Sequence, residues 1–412
     1  MILRLIATLA LLLSAGKLCA QPVAPEDPRV TTARQVLAAY QADAPRNHRV
    51  LHVAYYCPAD RTPAPDYQAR LTRVLTDISK FYADQMHHYG LPSDGIPLDI
   101  GPDGLVVIHM VKGSHPAADY SEAKSANEIH QDVEKVMTAA GIDLKVNHCV
   151  VFTRLGNHEG AKTWHNSPYC GTGDSHSGFC WQFDSDLLDT KLLLNTTDFV
   201  DDKQYGHINY GRYNTIFIGG TAHELGHLFG LPHNAETATD HKIRGHALMG
   251  DGNSHLHEEL RDDGKGSFIT LAHALRIASN PVFSHVDKGL NEPWRSSVPA
   301  CHFAPAGRTM KVDGRFTSSQ PVYGVVIYVD PAGGSDYDAV SYAGTLGPDH
   351  TFTFDLTDLP HKVKTGEIRL VLLCASGQHL SVGGRCQARF DYTIGADGLY
   401  QVTPVPRRKP GP

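Results

Sequence analysis

The most informative stretch of this chain is residues 223–233, which read His-Glu-Leu-Gly-His-Leu-Phe-Gly-Leu-Pro-His. His223 and His227 are about one helical turn apart, so on an α-helix their imidazoles lie on one face and can bind the same metal ion. Glu224 directly follows the first histidine, and we expect it beside the metal rather than on it. A carboxylate in that position suits a general base that takes a proton from metal-activated water.

Gly230 is predicted to end this helix, because glycine readily adopts the positive φ of a sharp helix end. The chain then turns and returns His233 as a third ligand. Three neutral imidazoles leave one tetrahedral position open, which is typical of a catalytic zinc site. We therefore predict one catalytic Zn2+ held by His223, His227 and His233, with Glu224 as the catalytic residue.

The segment before the motif is apolar and is predicted to continue the active-site helix towards its N-terminus. It reads Tyr-Asn-Thr-Ile-Phe-Ile from residue 213. Asn214 or Thr215 is predicted to cap its start, because their side-chain oxygens can accept from the free backbone N–H groups of a first turn.

The complete pattern H-E-x-x-H-x-x-G-x-x-H resembles that of the metzincins, zinc endopeptidases that also carry a downstream methionine turn. Residues 247–250 read Ala-Leu-Met-Gly, and the resemblance implies that Met249 packs beneath the metal site without binding the metal. No tyrosine directly follows Met249, and no cysteine lies between Ala20 and Val50. The tyrosine ligand of astacin-like enzymes and the cysteine switch of matrix metalloproteases are therefore not supported, and no subfamily is assigned.

Composition limits the class of protein. The 412 residues predict two domains, and 41% hydrophobic with 20% charged residues is typical of a globular chain. The net charge of −7 argues against a general nucleic-acid binder. We expect a peptide or protein substrate, and the sequence leaves the oligomeric state open.

Residues 1–20 are predicted to be a secretory signal peptide. Arg4 supplies a positive charge, Leu5 to Leu13 forms an apolar core too short to span a bilayer, and cleavage is expected near Ala20. No later segment is long and apolar enough for stable membrane insertion. The mature protein is therefore expected to be secreted or periplasmic.

Cysteine usage suggests disulfide bonds, since an exported protein meets an oxidising compartment. Seven cysteines remain after residue 20, and the odd number leaves at least one unpaired. Cys170 with Cys180 is the first predicted pair, and Cys374 with Cys386 is the second. No C-x2-C occurs, which argues against a cysteine zinc cluster.

The predicted fold class is α+β, with a metzincin-like catalytic domain over residues 47–290. Before this domain, residues 21–46 are predicted to be an N-terminal extension or short pro-segment with a helix over Thr31–Gln41. Strands and helices then alternate, which predicts a mixed, mostly parallel sheet. In chain order they are Arg49–Tyr56, Asp66–Tyr89 (helix), Gly104–Val111, Ser121–Ala140 (helix) and Val146–Thr153.

Residues 155–212 are predicted to be irregular. An edge strand near Phe179–Phe183 is one interpretation, and it would pair with an extended peptide substrate. A disulfide-stapled surface loop is the other. Asp184, Asp186 and Asp189 could bind Ca2+, but their spacing matches no calcium loop and a solvated acidic turn is favoured.

The C-terminal part is predicted to be a separate all-β sandwich. A C-terminal helix of the catalytic domain over Phe268–Ala278, capped by Ser267, precedes a linker at 291–300. Residues 301–405 alternate short apolar runs with Gly, Asp and Pro turns, and 406–412 read as a disordered tail. The predicted strands are Val322–Asp330, Thr351–Asp355, Glu367–Cys374, Ala388–Ile394 and Leu399–Val405.

The resulting hypothesis is a secreted zinc-dependent endopeptidase in which Glu224 acts as general base on zinc-activated water. Two alternatives stay open. One is a zinc-dependent amidase that acts on peptidoglycan or another non-protein amide. The other is a binding or adhesion protein with a vestigial metal site, against which the intact Glu224 argues, because binding zinc needs no base beside the ligands.

Overall fold

The computed structural model describes residues 27–405 except 121, 160–161, 165–168 and 383–385. The predicted signal peptide of residues 1–20 and the tail of residues 406–412 lie outside the described residues. Within the part that is described, no helix combines the length and the hydropathy that crossing a bilayer requires.

The described chain begins with a helix that packs against both halves of the protein. Asp27 caps it by accepting from Arg29 N at 2.9 Å, which explains a start earlier than the predicted Thr31. Its apolar face, Val30 and Ala33, is fully buried. The α-helices of the described residues are α1 Pro28–Gln41, α2 Tyr67–His88, α3 Glu122–Ala139, α4 Tyr210–Leu228, α5 Ala238–Arg244, α6 Leu271–Ile277 and α7 Pro281–Ser284.

The strands form two large sheets and two small ones. Those before the active-site helix α4 are β1 Leu51–Cys57, β2 Ile108–Lys112, β3 His148–Thr153, β4 Asn157–Glu159, β5 Lys162–Trp164, β6 Tyr169–Gly173, β7 Gly178–Phe183, β8 Phe199–Asp202 and β9 Gly206–Asn209. Those after it are β10 His246–Ala247, β11 Ser267–Phe268, β12 Ser296–Ala306, β13 Thr309–Ser318, β14 Val322–Pro331, β15 Val340–Gly347, β16 Thr351–Leu356, β17 Thr365–Cys374, β18 Ala388–Ile394 and β19 Tyr400–Pro404.

The part of the chain up to residue 290 was predicted to be catalytic and is called the catalytic half. It contains a five-stranded sheet in the order β2-β1-β3-β7-β6. The first four strands are parallel, with Val53 paired to Ile108 on one side and to Val150 on the other. Only β6 runs antiparallel. The connecting helices α2 and α3 cover the sheet, as parallel strands require. The predicted α+β class with a mostly parallel sheet is confirmed.

The segment predicted as irregular contains ordered strands, and the predicted edge strand is wrong. Strand β7, which covers Phe179–Phe183, lies inside the sheet between β3 and β6. The turn at residues 174–177, Asp-Ser-His-Ser, folds the chain into a hairpin, so β6 takes the edge position instead. The strand before this turn has no clear sequence signal, because two of its five residues are glycine, which is depleted in strands.

The three carboxylates considered for calcium each face an arginine. Asp184 pairs with Arg70 at 3.0 Å, Asp186 with Arg154 at 3.3 Å and Asp189 with Arg73 at 2.6 Å. These partners come from distant parts of the chain. The structure therefore gives these side chains a role in joining α2 and β3 to the segment after β7.

The predicted disulfide bonds are not formed: among the described residues, neither Cys170 with Cys180 nor Cys374 with Cys386 is joined by a disulfide. Strand register explains the first case. Cys170 lies opposite Trp181, and Cys180 lies opposite Gly171. Neighbouring residues of a strand point to opposite faces, so the Cys170 and Cys180 side chains point away from each other. In the second predicted pair, the Cys374 thiol contacts Gln320 Oε1 at 3.3 Å, and Cys386 is also free.

Two predicted helix starts are corrected. Helix α4 begins at Tyr210 with Asn209 as its cap, earlier than the predicted Asn214 or Thr215. The helix after the methionine turn begins at Leu271, and Thr270 caps it by accepting from His273 N at 3.3 Å. Ser267 cannot cap it, because this residue belongs to β11 and its hydroxyl donates to Gly252 O at 2.5 Å.

The C-terminal half is an eight-stranded antiparallel sheet in the order β12-β13-β16-β15-β14-β17-β18-β19. It curls around its own apolar core, which brings its two ends together: the rings of Phe303 in β12 and Phe390 in β18 are 4.7 Å apart. The predicted all-β fold is confirmed. Strands β12, β13 and β15 were not predicted, and β12 begins at Ser296, inside the predicted linker.

The two halves share buried surface. Tyr323, Val326 and Leu373 of the antiparallel sheet belong to the same apolar cluster as Leu225 of the active-site helix. The Tyr323 hydroxyl donates to Leu275 O at 2.6 Å. This arrangement places one face of the C-terminal sheet directly beside the catalytic half.

Candidate active site

Helix α4 runs through the protein interior and ends where the motif predicts. Gly230 has a backbone φ of +87°, which residues other than glycine rarely adopt. Its N–H donates to His227 O at 2.9 Å, and Leu231 N–H donates to Gly226 O at 3.0 Å. These two bonds form a Schellman motif, which closes the helix and turns the chain towards His233.

The three predicted ligands meet at one place. Ring nitrogens of His223, His227 and His233 all lie within 4.8 Å of one another. The His223 and His227 rings are 4.7 Å apart at 86°, and the His227 and His233 rings are 4.5 Å apart at 82°. These two ring pairs are nearly perpendicular, whereas the His223 and His233 rings are 5.3 Å apart at 35°.

Hydrogen bonds to backbone carbonyls set the protonation of these rings. His223 Nδ1 lies 2.8 Å from Leu248 O, and His227 Nδ1 lies 2.8 Å from Leu231 O. A carbonyl oxygen only accepts, so each Nδ1 carries the proton and each Nε2 presents a lone pair. His223 Nε2 is buried without a hydrogen-bond partner, and His227 Nε2 lies 3.0 Å from His233 Nε2.

This nitrogen cluster fits a divalent metal ion. An unpartnered buried nitrogen is costly, and a cation between the lone pairs removes that cost. Burial, with the neighbouring imidazoles, lowers the pKa of His223 and lowers that of His233 to about 4. Burial also lowers the pKa of His227. All three rings are consequently neutral near pH 7, the form that binds metal.

Glu224 lies on the same helix with only 7% of its surface exposed. Burial raises the pKa of its carboxyl to about 8. A nearby cation favours the charged carboxylate and acts against this shift, so metal binding prepares the residue to accept a proton. Edge strand β6 runs against this part of the helix: a Cβ added at Gly171 would lie 2.4 Å from Glu224 O and 3.0 Å from its Oε2.

Met249 packs against the active-site helix at Gly226, the residue directly before His227. It is 1% exposed, and a Cβ added at Gly226 would lie 2.3 Å from the Met249 sulfur. Asn234 N–H donates to Met249 O at 3.1 Å and ties the turn to the residue after His233. The methionine thus supports the site through packing.

Sequence reasoning missed Tyr337, which comes from the C-terminal half. Its ring stacks on His233 at 3.7 Å and 27°, and it is parallel to the His223 ring at 6.1 Å and 8°. Its surface is 43% exposed. Burial and then the charge of Glu224 raise the pKa of its phenol. The ring therefore borders the open side of the histidine cluster, and no sequence motif marked it.

The loop that carries Tyr337, residues 332–339 between β14 and β15, is held on both sides. Asp336 accepts from Arg369 at 2.9 Å within the C-terminal sheet. On the catalytic side, Ala235 N–H donates to Ala339 O at 2.8 Å. These bonds connect the loop to the residues that directly follow the third histidine.

Solved structures of OgpA share the fold of this chain. Two crystal structures of wild type OgpA from Akkermansia muciniphila match with TM-scores of 0.65 and 0.67, both at 26% identity. They cover 87% and 88% of this chain and 96% of OgpA. Catalytically inactive OgpA in complex with an O-glycopeptide (glycodrosocin) substrate matches with a TM-score of 0.67 at 24% identity, covering 88% of this chain and 97% of that one.

No family model matches the sequence, and no curated protein matches it. The likeness to OgpA extends over both halves of the chain, and a cluster of three histidines that could hold a metal ion lies at their junction. The prediction that the chain is an enzyme, a peptide-bond hydrolase, is confirmed.

Proposed function

We propose that this protein is an exported zinc-dependent endopeptidase that cleaves O-glycosylated peptides. The observation that carries the proposal is the convergence of three neutral histidine nitrogens, one of them buried and unpartnered, beside the Glu224 carboxyl. The likeness to OgpA, which is known in complex with an O-glycopeptide substrate, supports the substrate class. Export rests on the sequence of residues 1–20.

The catalytic steps follow from the groups present. His223, His227 and His233 would hold the zinc ion, which would supply Lewis acidity towards water and a carbonyl oxygen. Glu224 accepts the proton of the attacking water and passes it to the leaving amine nitrogen. The backbone carbonyls that accept from the Nδ1 atoms keep the rings in the ligating tautomer.

Strand β6 offers a binding edge for an extended peptide. It lies at the end of the five-stranded sheet and passes beside Glu224. Its far end is closed, because Asp174 pairs with Ser381 and Val382 N–H donates to Gly173 O at 3.3 Å. We infer that a substrate adds as a further strand along the part of β6 before Gly173, with backbone hydrogen bonds holding it in register.

A matched substrate set tests the proposal. One peptide is prepared with and without an O-linked glycan, and peptidoglycan fragments are assayed in parallel. We expect the enzyme to cleave the glycopeptide only, to lose activity in a metal chelator and to regain it when zinc is added back. Equal cleavage of the bare peptide would refute the glycan requirement. Release of amide products from peptidoglycan alone would favour the amidase, and no cleavage of any substrate would favour the binding protein.

Tyr337 is expected to contribute to the site through its ring. Tyr337→Ala removes the stacking contact with His233 and lowers kcat/KM by roughly tenfold, at the upper end of what an aromatic pair contributes. Tyr337→Phe keeps the ring, and we expect it to stay within about twofold of the parent enzyme. Steady-state kinetics on the glycopeptide measures both. Equal activity of the alanine variant and the parent would contradict a role for this loop.

A further inference from the structure

We propose a second metal site, formed by Glu236, His241 and His246, that takes a zinc ion and ties helix α5 to the methionine turn. These residues lie between His233 and Met249, outside the catalytic cluster. One donor atom from each residue lies within 4.8 Å of the other two. Two imidazoles and a carboxylate are a donor set that zinc accepts readily.

The donor distances suit a single ion. Glu236 Oε1 lies 2.9 Å from His241 Nδ1 and 3.7 Å from His246 Nδ1. Tetrahedral zinc with bonds of about 2.0–2.1 Å separates its ligands by about 3.3 Å. The two observed separations lie on either side of that value, so small side-chain movements are enough to bring the donors onto one ion.

The arrangement of the rings matches that of the catalytic cluster. His241 and His246 have ring centroids 4.6 Å apart at 84°. Two of the three ring pairs in the catalytic cluster are similar, at 4.7 Å and 86° and at 4.5 Å and 82°. The same near-perpendicular approach of two rings thus occurs at both places. In the catalytic cluster a sequence motif brings the residues together, and at Glu236, His241 and His246 the fold does so without a known motif.

The backbone around this site fixes the positions of the three residues, so they do not meet merely as neighbouring side chains on a surface. Thr237 caps α5 by accepting from Asp240 N at 3.0 Å, which fixes the helix that carries His241. Gly245, with φ of +90°, turns the chain back to His246. Glu236 Oε2 accepts from Ala247 N at 2.8 Å, which leaves Oε1 facing the two rings.

Hydrogen bonding explains why Glu236 lies beside His241, but it does not explain why the His246 ring lies beside the same carboxylate. Glu236 Oε1 is within hydrogen-bond distance of His241 Nδ1 only, since 3.7 Å to His246 Nδ1 is too long. The His241 side chain is 50% exposed, so water can complete the coordination of an ion. We infer a structural role, because such an ion joins the segment after His233 to the strand that precedes Met249.

Metal content measured after zinc loading and gel filtration tests the proposal. We expect two zinc ions per chain in the parent protein and one in the His241→Ala/His246→Ala variant. His255→Ala is the matched control: its ring stacks on His246 at 3.9 Å, but its Nδ1 pairs with Glu258 at 2.7 Å, so two ions should remain. Glu236→Gln, which keeps an oxygen for Ala247 N–H, should also fall to one ion and serves if the double variant does not fold.

A catalytic-site variant separates this site from the proposed function. His227→Ala removes a ligand of the catalytic cluster only, so we expect that protein to keep one zinc ion per chain. One ion in the parent and none in His227→Ala would overturn the second site while leaving the catalytic site intact. One ion in the parent, absent from the His241→Ala/His246→Ala variant but kept in His227→Ala, would support the second site and contradict zinc in the catalytic one.

Discussion

Glu224→Gln is expected to lower turnover by at least about 100-fold, the low end for loss of a general base. Glutamine has nearly the same shape, so the helix and the histidine cluster should be unchanged. It cannot accept the proton of the attacking water or return it to the amine nitrogen. Zinc content should therefore equal that of the parent, while kcat on the glycopeptide falls.

The control for this substitution is Glu134→Gln, which removes the same charge from the half-buried side of α3, a helix that carries none of the three histidines. We expect its kcat to match the parent. Full activity of Glu224→Gln with zinc bound would exclude Glu224 as the base. A loss of zinc together with activity would instead mean that the carboxylate holds the metal.

Arg70→Met is expected to lower the free energy of unfolding by roughly 3–5 kcal/mol, the usual cost of leaving a buried charge without its partner. The Asp184 side chain is 0% exposed and the Arg70 side chain 6%. Two guanidinium nitrogens donate to the two carboxylate oxygens at 3.0 and 3.1 Å, and Tyr55 donates to the same carboxylate at 2.6 Å. Methionine retains the apolar stem but leaves the carboxylate facing a single hydroxyl.

A surface ion pair on the same helix gives the comparison. Lys80 and Asp84 face each other on α2 with side chains 70% and 55% exposed. We expect Lys80→Met to cost less than about 0.5 kcal/mol, as for other exposed pairs one helical turn apart. Denaturant unfolding of both variants measures the difference. Equal costs for the two substitutions would show that the Asp184 contact contributes no more than an exposed pair.

The sequence predicted those parts of the structure that local patterns determine. The spacing of His223, Glu224 and His227 needs only a helix, and Gly230 needs only a helix end. The alternation of strands and helices before residue 154 was visible as apolar periodicity, because each element buries one face. The class of fold and the region of the site followed from these patterns.

The remaining parts depend on contacts between distant segments, which one sequence does not show. Tyr337 approaches His233 only because the C-terminal sheet packs on the catalytic half, and nothing near residue 337 marks that contact. The spacing of Cys170 and Cys180 favoured a disulfide bond, but strand register decides which way each side chain points. Asp184 is a buried acid because Arg70, a residue 114 positions earlier in the chain, lies beside it.

The Tyr337 loop has a consequence for when the enzyme becomes active during its synthesis. The chain leaves the ribosome from its N-terminus, so the histidine motif emerges more than a hundred residues before Tyr337. Strand β17, which supplies Arg369 to hold the loop, emerges later still. A nascent or truncated chain that ends before this strand therefore lacks one wall of its own catalytic site. A complete catalytic site therefore requires a chain that extends through β17, even though the histidine motif itself is finished at residue 233.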